Sequence, residues 1–330
     1  MTCPGCAAEL DDAALSCPQC LKLTHSAELE QLAAKARAAW RVGKFAEERA
    51  IWTESLKLLP EGTVQHRSIQ QRLRELEEQS MVSAGAPHSD WKKVTGMGAG
   101  PVILLLLSKG KFLLLGLTKV GTLLTMLASL GVYWSMYGWA FAAGLVVSIY
   151  IHEMGHVAAI RRYGFPASAP MFIPGFGAFI QLRGLKVPPI PDARIGLAGP
   201  LYGLGAALGA CVMYLATQNK IWAVIAHFGA IINLFNLIPI WQLDGSRGFH
   251  ALTRLERGIV LSAALMLWMF TGTPMLLLVA GGAGYRLFTR DWQAEADRHG
   301  LWMFLGLMAA LAIVSAMSSG PASLPVGAGR

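Results

Sequence analysis

The sequence predicts a polytopic α-helical membrane protein of about six to seven spans, with a small β-hairpin embedded at membrane depth and a short polar region ahead of the first span. Three observations lead there. Hydrophobic residues make up 54% of the 330-residue chain and charged residues only 15%, a balance too apolar for a typical soluble protein. Residues 1–98 are polar and charge-rich, whereas from Pro101 onward long apolar runs alternate with short polar loops. One of those runs, VVSIYIHEMGHVAAIRRYG at 146–164, nevertheless carries His152, Glu153 and His156.

The first element is a pair of knuckles. Cys3-Pro-Gly-Cys6 and Cys17-Pro-Gln-Cys20 are two CxxC pairs ten residues apart, and four thiolates so placed can share one tetrahedral zinc. The pattern resembles a zinc ribbon over residues 1–25, a segment too short for a hydrophobic core of its own. A redox or disulfide role is the competing reading, and it accounts neither for the proline in both knuckles nor for a reducing compartment. Cys211 lies in an apolar run and reads as a small core residue.

Residues 26–80 follow as a helical region. Two amphipathic helices over 27–59 break at Gly43, with Phe45, Trp52, Leu56 and Pro60 at intervals resembling one tetratricopeptide repeat, and residues 64–79 are available as a capping helix. A plain helical hairpin fits equally well; either would serve contact with a protein partner. Residues 81–100, rich in Ser, Gly, Ala and Pro, read as a linker.

The membrane domain is expected over 101–319, with a tail at 320–330. Residues 100–119 are broken by Lys109 and Lys111 and suit an interfacial or re-entrant segment; 120–138 and 139–160 then cross and return. The return helix brings the histidines. At i and i+4 both imidazoles project from one face and can bind one metal ion, with Glu153 beside them as a base. Burying such groups in a bilayer costs about 2.5 kcal/mol or more each on insertion scales, which calls for a compensating ligand; an interhelical polar network is the plainer alternative.

Residues 164–193 carry six prolines and cannot form a regular helix. Their apolar stretch 171–182 is expected to fold as a hairpin, since bare backbone is not tolerated in lipid, and an open strand edge there could pair with an extended peptide. Phe172, Ile173, Gly175, Gly177 and Phe179 are the candidate substrate-binding residues; an ordinary interfacial loop is the alternative. Further spans are expected at 194–216, 221–240, 258–272 with 274–288, and 301–318, the third of these groups short and bent at Gly272-Thr273-Pro274.

Asp244 ends the span 221–240 on the same side as the histidines. A carboxylate is a natural third zinc ligand, but an aspartate capping the next helix explains the position equally well. His227 and His250 read as packed or capping histidines, and Asn233, sharing a face with Asn236, as an interhelical hydrogen bond.

The motifs HEMGH on a membrane helix, FIPGFGAF, LAGP, and Asn236-Leu-Ile-Pro239 running into Leu243-Asp244-Gly245 together resemble the site-2 proteases, intramembrane zinc metalloproteases, over roughly residues 100–290. The resemblance implies a catalytic zinc on His152, His156 and Asp244, a catalytic Glu153, and Asn236 near the substrate or transition state. It also implies a transmembrane protein substrate cut near the cytosolic face.

Charge sets the orientation. The net charge of +8 comes mostly from Lys and Arg flanking hydrophobic runs, the positive-inside pattern, so no nucleic-acid partner is expected. No signal peptide is visible, and the amino end and the metal motif are both expected toward the cytosol. Two other classes compete: a zinc-binding scaffold or receptor without hydrolysis, and a metal transporter. A transporter would need several ionisable residues along a path across the bilayer, and the sequence offers one cluster at one end.

Overall fold

The computed structural model describes residues 2–3, 5–11, 14–84, 127–128, 130–135, 138–165, 171–173, 177–179 and 187–322. The chain divides into two compact units, Met1–Pro87 and His88–Arg330.

In the first unit the two knuckles are copies of one turn. Cys3 donates its amide to the Ala8 carbonyl at 2.9 Å and accepts from the Ala7 amide at 3.0 Å; fourteen residues on, Cys17 donates to Lys22 and accepts from Leu21, both at 2.9 Å. Ala7 and Leu21 take left-handed backbone conformations, φ 58° and 59°, so each turn folds tightly back on its cysteines. Three helices follow: α1 Ser26–Arg41, α2 Phe45–Leu56 and α3 Val64–Ala84. Gly43, at φ 78°, separates the first two. Leu32, Ala36 and Ala39 form the buried stripe of α1. Glu48 of α2 is buried and accepts from Trp52 Nε1 at 3.2 Å and from Arg72 of α3 at 2.9 and 3.2 Å, so a buried charge is matched across the helices. Helix α3 runs to Ala84, into the stretch expected as linker; the rest of that stretch lies outside the described residues, as do 100–119.

The second unit is almost wholly helical: α4 Trp139–Arg162, α5 Pro189–Thr217, α6 Lys220–Asn236, α7 Asp244–Phe249, α8 Arg254–Thr271, α9 Met275–Phe288 and α10 Arg298–Ala322. Helix signals sit where physical chemistry places them. Proline opens α5, Asn219 caps α6 through its side chain, and Thr253 with Glu256 forms a reciprocal capping box on α8, which Gly272 ends in a left-handed conformation. Between α4 and α5, strands β1 Met171–Ile173 and β2 Gly177–Phe179 pair antiparallel in the register Met171↔Phe179, Phe172↔Ala178, Ile173↔Gly177. Phe172, Ile173, Gly177 and Phe179 lie on these strands, and Gly175 lies outside the described residues.

The count of six to seven spans is not supported. Among the described residues three helices are long and apolar enough to cross a membrane: Trp139–Arg162, Pro189–Thr217 and Arg298–Gly320. Helix α4 alone, at 24 residues, measures about 36 Å against a hydrocarbon core of about 30 Å. Helices α6 and α9 are apolar but short, and α8 carries Arg254, Glu256 and Arg257 in its first turn. The expected span at 120–138 falls mostly outside the described residues, and the embedding of β1 and β2 in a bilayer is not supported by these comparisons of length and apolarity.

Two apolar clusters hold the unit. One joins Phe141, Leu145, Ile149 and Tyr150 of α4 to Ala210 of α5 and Val224, Ile225 and Ala226 of α6; the other runs from α5 and α6 through α8 and α9 to Phe304, Met308 and Leu311 of α10. Outer helix faces are apolar as well, with Val212, Met269 and Phe270 exposed by 63%, 77% and 83%. Apolar side chains both inside and outside are what a lipid-facing bundle requires.

Candidate metal centre

One turn of α4 separates His152 from His156, so their rings lie on the same face, with centroids 4.9 Å apart and Nε2 atoms 3.2 Å apart. Asp244, the first residue of α7, closes a triangle: its Oδ2 is 3.0 Å from His152 Nε2 and its Oδ1 3.1 Å from His156 Nε2. The structure brings Asp244 together with both histidines, as a group that could hold one metal ion. Tetrahedral nitrogen and oxygen ligands at about 2.0–2.1 Å from zinc stand about 3.3 Å apart, so this triangle fits a single zinc ion with little adjustment. Glu153 is buried, 4% exposed, and lies within electrostatic reach of both imidazoles and Asp244.

The outer nitrogens of the rings are also occupied. His156 Nδ1 lies 2.7 Å from the Ile195 carbonyl of α5, which can only accept, so Nδ1 carries the proton and Nε2 presents its lone pair to the triangle. His152 Nδ1 pairs with Asn233 Oδ1 of α6 at 2.8 Å; the Asn233 amide nitrogen in turn donates to the Gly229 carbonyl at 2.7 Å. Asn233 thus makes an interhelical bond, and the ring it orients is a candidate ligand. A buried asparagine in an apolar helix was the available signal.

Helix α5 supplies a wall of bare backbone. Gly196, Gly199 and Gly203 line one stripe, and a Cβ on Gly199 would stand 2.2 Å from His156 Nε2 and 2.7 Å from His152 Nε2. One on Gly203 would meet Asn233 Oδ1 at 2.0 Å, and one on Gly196 the Asp244 carbonyl oxygen at 2.8 Å. Only glycine lets α5 approach α4, α6 and α7 together this closely. Pro200 adds a second local feature, because it has no N–H for the carbonyl one turn back.

The remaining candidates are not among the three converging groups. Asn236 ends α6 half-buried, three residues beyond Asn233. His227 pairs through Nδ1 with the Ser315 carbonyl of α10 at 2.9 Å, Cys211 lies 3.7 Å from Ser318 Oγ, and His250 contacts Asp192. None of these belongs to the triangle.

A second convergent cluster occupies the first unit. Cys3 Sγ and Cys20 Sγ are 3.5 Å apart and Cys6 Sγ and Cys17 Sγ 3.6 Å apart, far beyond a disulfide bond of about 2.05 Å and close to the roughly 3.8 Å between thiolates on one zinc. All four are free thiols whose sulfurs lie within 4.8 Å of one another. The Gly5 amide donates to Cys3 Sγ and holds that thiol down at about 6. Cys6 receives help from the Ala8 amide, but the crowding by Cys17, Cys20 and Cys3 wins and pushes it up to about 12. Four sulfurs so close cannot all ionise without a cation among them.

Comparison with known proteins bears on the second unit. Residues 140–220 match peptidase family M50. The M50 match includes His152, Glu153 and His156 and stops before Asp244, which rests on the geometry above. "Zinc metalloprotease MJ0392" of Methanocaldococcus jannaschii is 26% identical over 145 residues, 42% of this chain and 41% of that protein. "Putative zinc metalloprotease Rip3" of Mycobacterium tuberculosis is 33% identical over 140 residues, 38% of this chain and 35% of its own length. The chain therefore spans less than half the length of either relative. No solved structure matches it.

Proposed function

We propose that the chain is an intramembrane zinc metalloprotease of the site-2 kind, hydrolysing peptide bonds in transmembrane segments of other proteins near the cytosolic face, as in regulated intramembrane proteolysis. The observation that carries the reading is the triangle of His152, His156 and Asp244 with a buried Glu153 beside it. The M50 match over the same histidines and the names of the two relatives support it.

His152, His156 and Asp244 hold the ion. Zinc, when bound, supplies Lewis acidity, acidifying water and polarising a carbonyl. Glu153 takes the proton of the attacking water on its carboxylate and returns it to the departing amide nitrogen. Asn236 stands near the reacting carbonyl and donates to the oxyanion as it develops. Strands β1 and β2 pair antiparallel, and an open edge there holds the unwound substrate in extended form, with Phe172, Ile173, Gly177 and Phe179 on the strands; Gly175 is proposed to contact substrate as well. Arg161 and Arg162 directly follow the histidine turn and, under the positive-inside rule, turn that end of α4 and the amino terminus toward the cytosol. In the first unit the four cysteines hold a structural zinc in a ribbon-like fold, and α1 to α3 serve contact with a protein partner.

Replacing Glu153 by Gln preserves size and hydrogen bonding and removes the base. Membranes containing this variant should retain zinc at the wild-type level and lose the peptide fragments released by wild type, read by proteomics of the released material. Undiminished release would reject the mechanism.

A further inference from the structure

We infer that Asp192 is a positioning residue for the metal centre: from the first turn of α5 its buried carboxylate fixes α7, and so sets where Asp244 stands. The inference rests on the three-donor site proposed above.

Helix α7 has six residues, too few to be stable on its own hydrogen bonds, so its direction is set by what holds it from outside. Asp192 holds it twice. Oδ1 accepts from Arg247 Nε at 2.8 Å, and Oδ2 lies 2.5 Å from His250 Nδ1, at the residue that caps the helix. Arg247 is three residues beyond Asp244, hence on the same side of the helix. Asp192 is 9% exposed, and a buried carboxylate persists only where both oxygens are matched, which ties it to both groups. Four residues further along α5, the bare Gly196 backbone lies against the Asp244 carbonyl and the Arg247 Cβ. Another turn brings Gly199 to the two imidazoles. One helix therefore touches both halves of the ligand set, and Asp192 is its only charged contact with α7 among the described bonds.

The neighbouring Arg194 provides the control. It donates to Asp297 Oδ1 of the segment before α10 at 2.7 Å and makes none of the bonds to α7 described above.

The test uses the full chain in detergent, loaded with zinc and titrated with a chelator, with zinc per chain counted above an Asp244→Ala baseline that removes the site's own contribution. Asp192→Asn should release this zinc at about 10- to 100-fold lower chelator, the range for partners that orient a metal ligand. Arg247→Gln should do the same, the double variant should be little worse than either alone, and Asp192→Glu should recover part of the loss. Arg194→Gln should stay within about twofold of wild type, below the effect expected of an orienting partner. Wild-type retention in Asp192→Asn, simple addition of the two losses, or an equal loss in Arg194→Gln would each overturn the inference while leaving the three-donor site standing. Wild type that holds no more zinc than Asp244→Ala would overturn the three-donor reading, and the role of Asp192 with it.

Discussion

The four thiols of the first unit and the His152–His156–Asp244 triangle both converge on a point, but they arrive there differently. The cysteines come from two copies of one turn within eighteen residues, Cys3 to Cys20, and the apolar cluster around them consists of Cys3, Leu10 and Cys17 with Ala8, Ala14 and Cys20 packed on it. Among the described residues of that segment, nothing else is large enough to hold a fold. In the second unit the donors stand on α4 and α7, far apart in sequence, and are set by helices packed through two extensive clusters. The difference teaches which way dependence runs: a metal there would organise the cysteine segment, whereas the packed helices would organise the histidine–aspartate site.

The contrast can be broken by stripping metal from the whole protein. Residues 1–25 should lose their folded structure outright, seen as loss of amide-exchange protection, while α4 to α10 keep theirs; equal loss in both units would erase the distinction. Next in size is Gly199→Ala. Because its Cβ would stand 2.2 Å from His156 Nε2, the rings must shift, and under the proposed function a displacement of this kind costs about 10²-fold in cleavage rate without unfolding the bundle. Asn233→Leu should be milder. It frees His152 to rotate and should weaken metal retention by about tenfold or more, leaving the cysteine-bound metal untouched in the same preparation.

The smallest effect is one of pH. Burial works against the charge of Asp291, but bonds from Arg257 Nη1 at 2.9 Å and Arg286 Nη2 at 2.5 Å, with Thr289 Oγ1 also donating, hold its carboxyl down at about 2. A carboxyl lowered on folding stabilises the fold above its unfolded value of about 3.9, and that contribution fades as pH falls from about 4 through about 2. Asp291 is 46% exposed, so the effect is modest and shrinks with salt. The melting temperature of Asp291→Asn should therefore fall less steeply than that of wild type across this window, and the two curves should differ least near pH 2.

Periodicity made part of this legible in advance. His152 and His156 share a face because any helix puts i and i+4 together, and two CxxC pairs with proline admit few folds. Asp244 was ambiguous, since a helix-starting aspartate and a metal ligand look alike until α7 is placed against α4. Asn233 and Asp192 were harder still: each acts through a partner far away in sequence, on another helix, and no local pattern encodes that pairing. The span count went unsupported for a related reason. Hydropathy measures how apolar a run is, and it assigns the same value to α6 or α9, too short to cross alone, as to part of a full crossing.

The glycine stripe of α5 bears on inhibitor design. A zinc-chelating compound reaching the two imidazoles would find only main chain along the Gly199 side, with no side-chain chemistry there to distinguish this site from another built the same way. Selectivity would have to come from contacts with side chains away from that stripe.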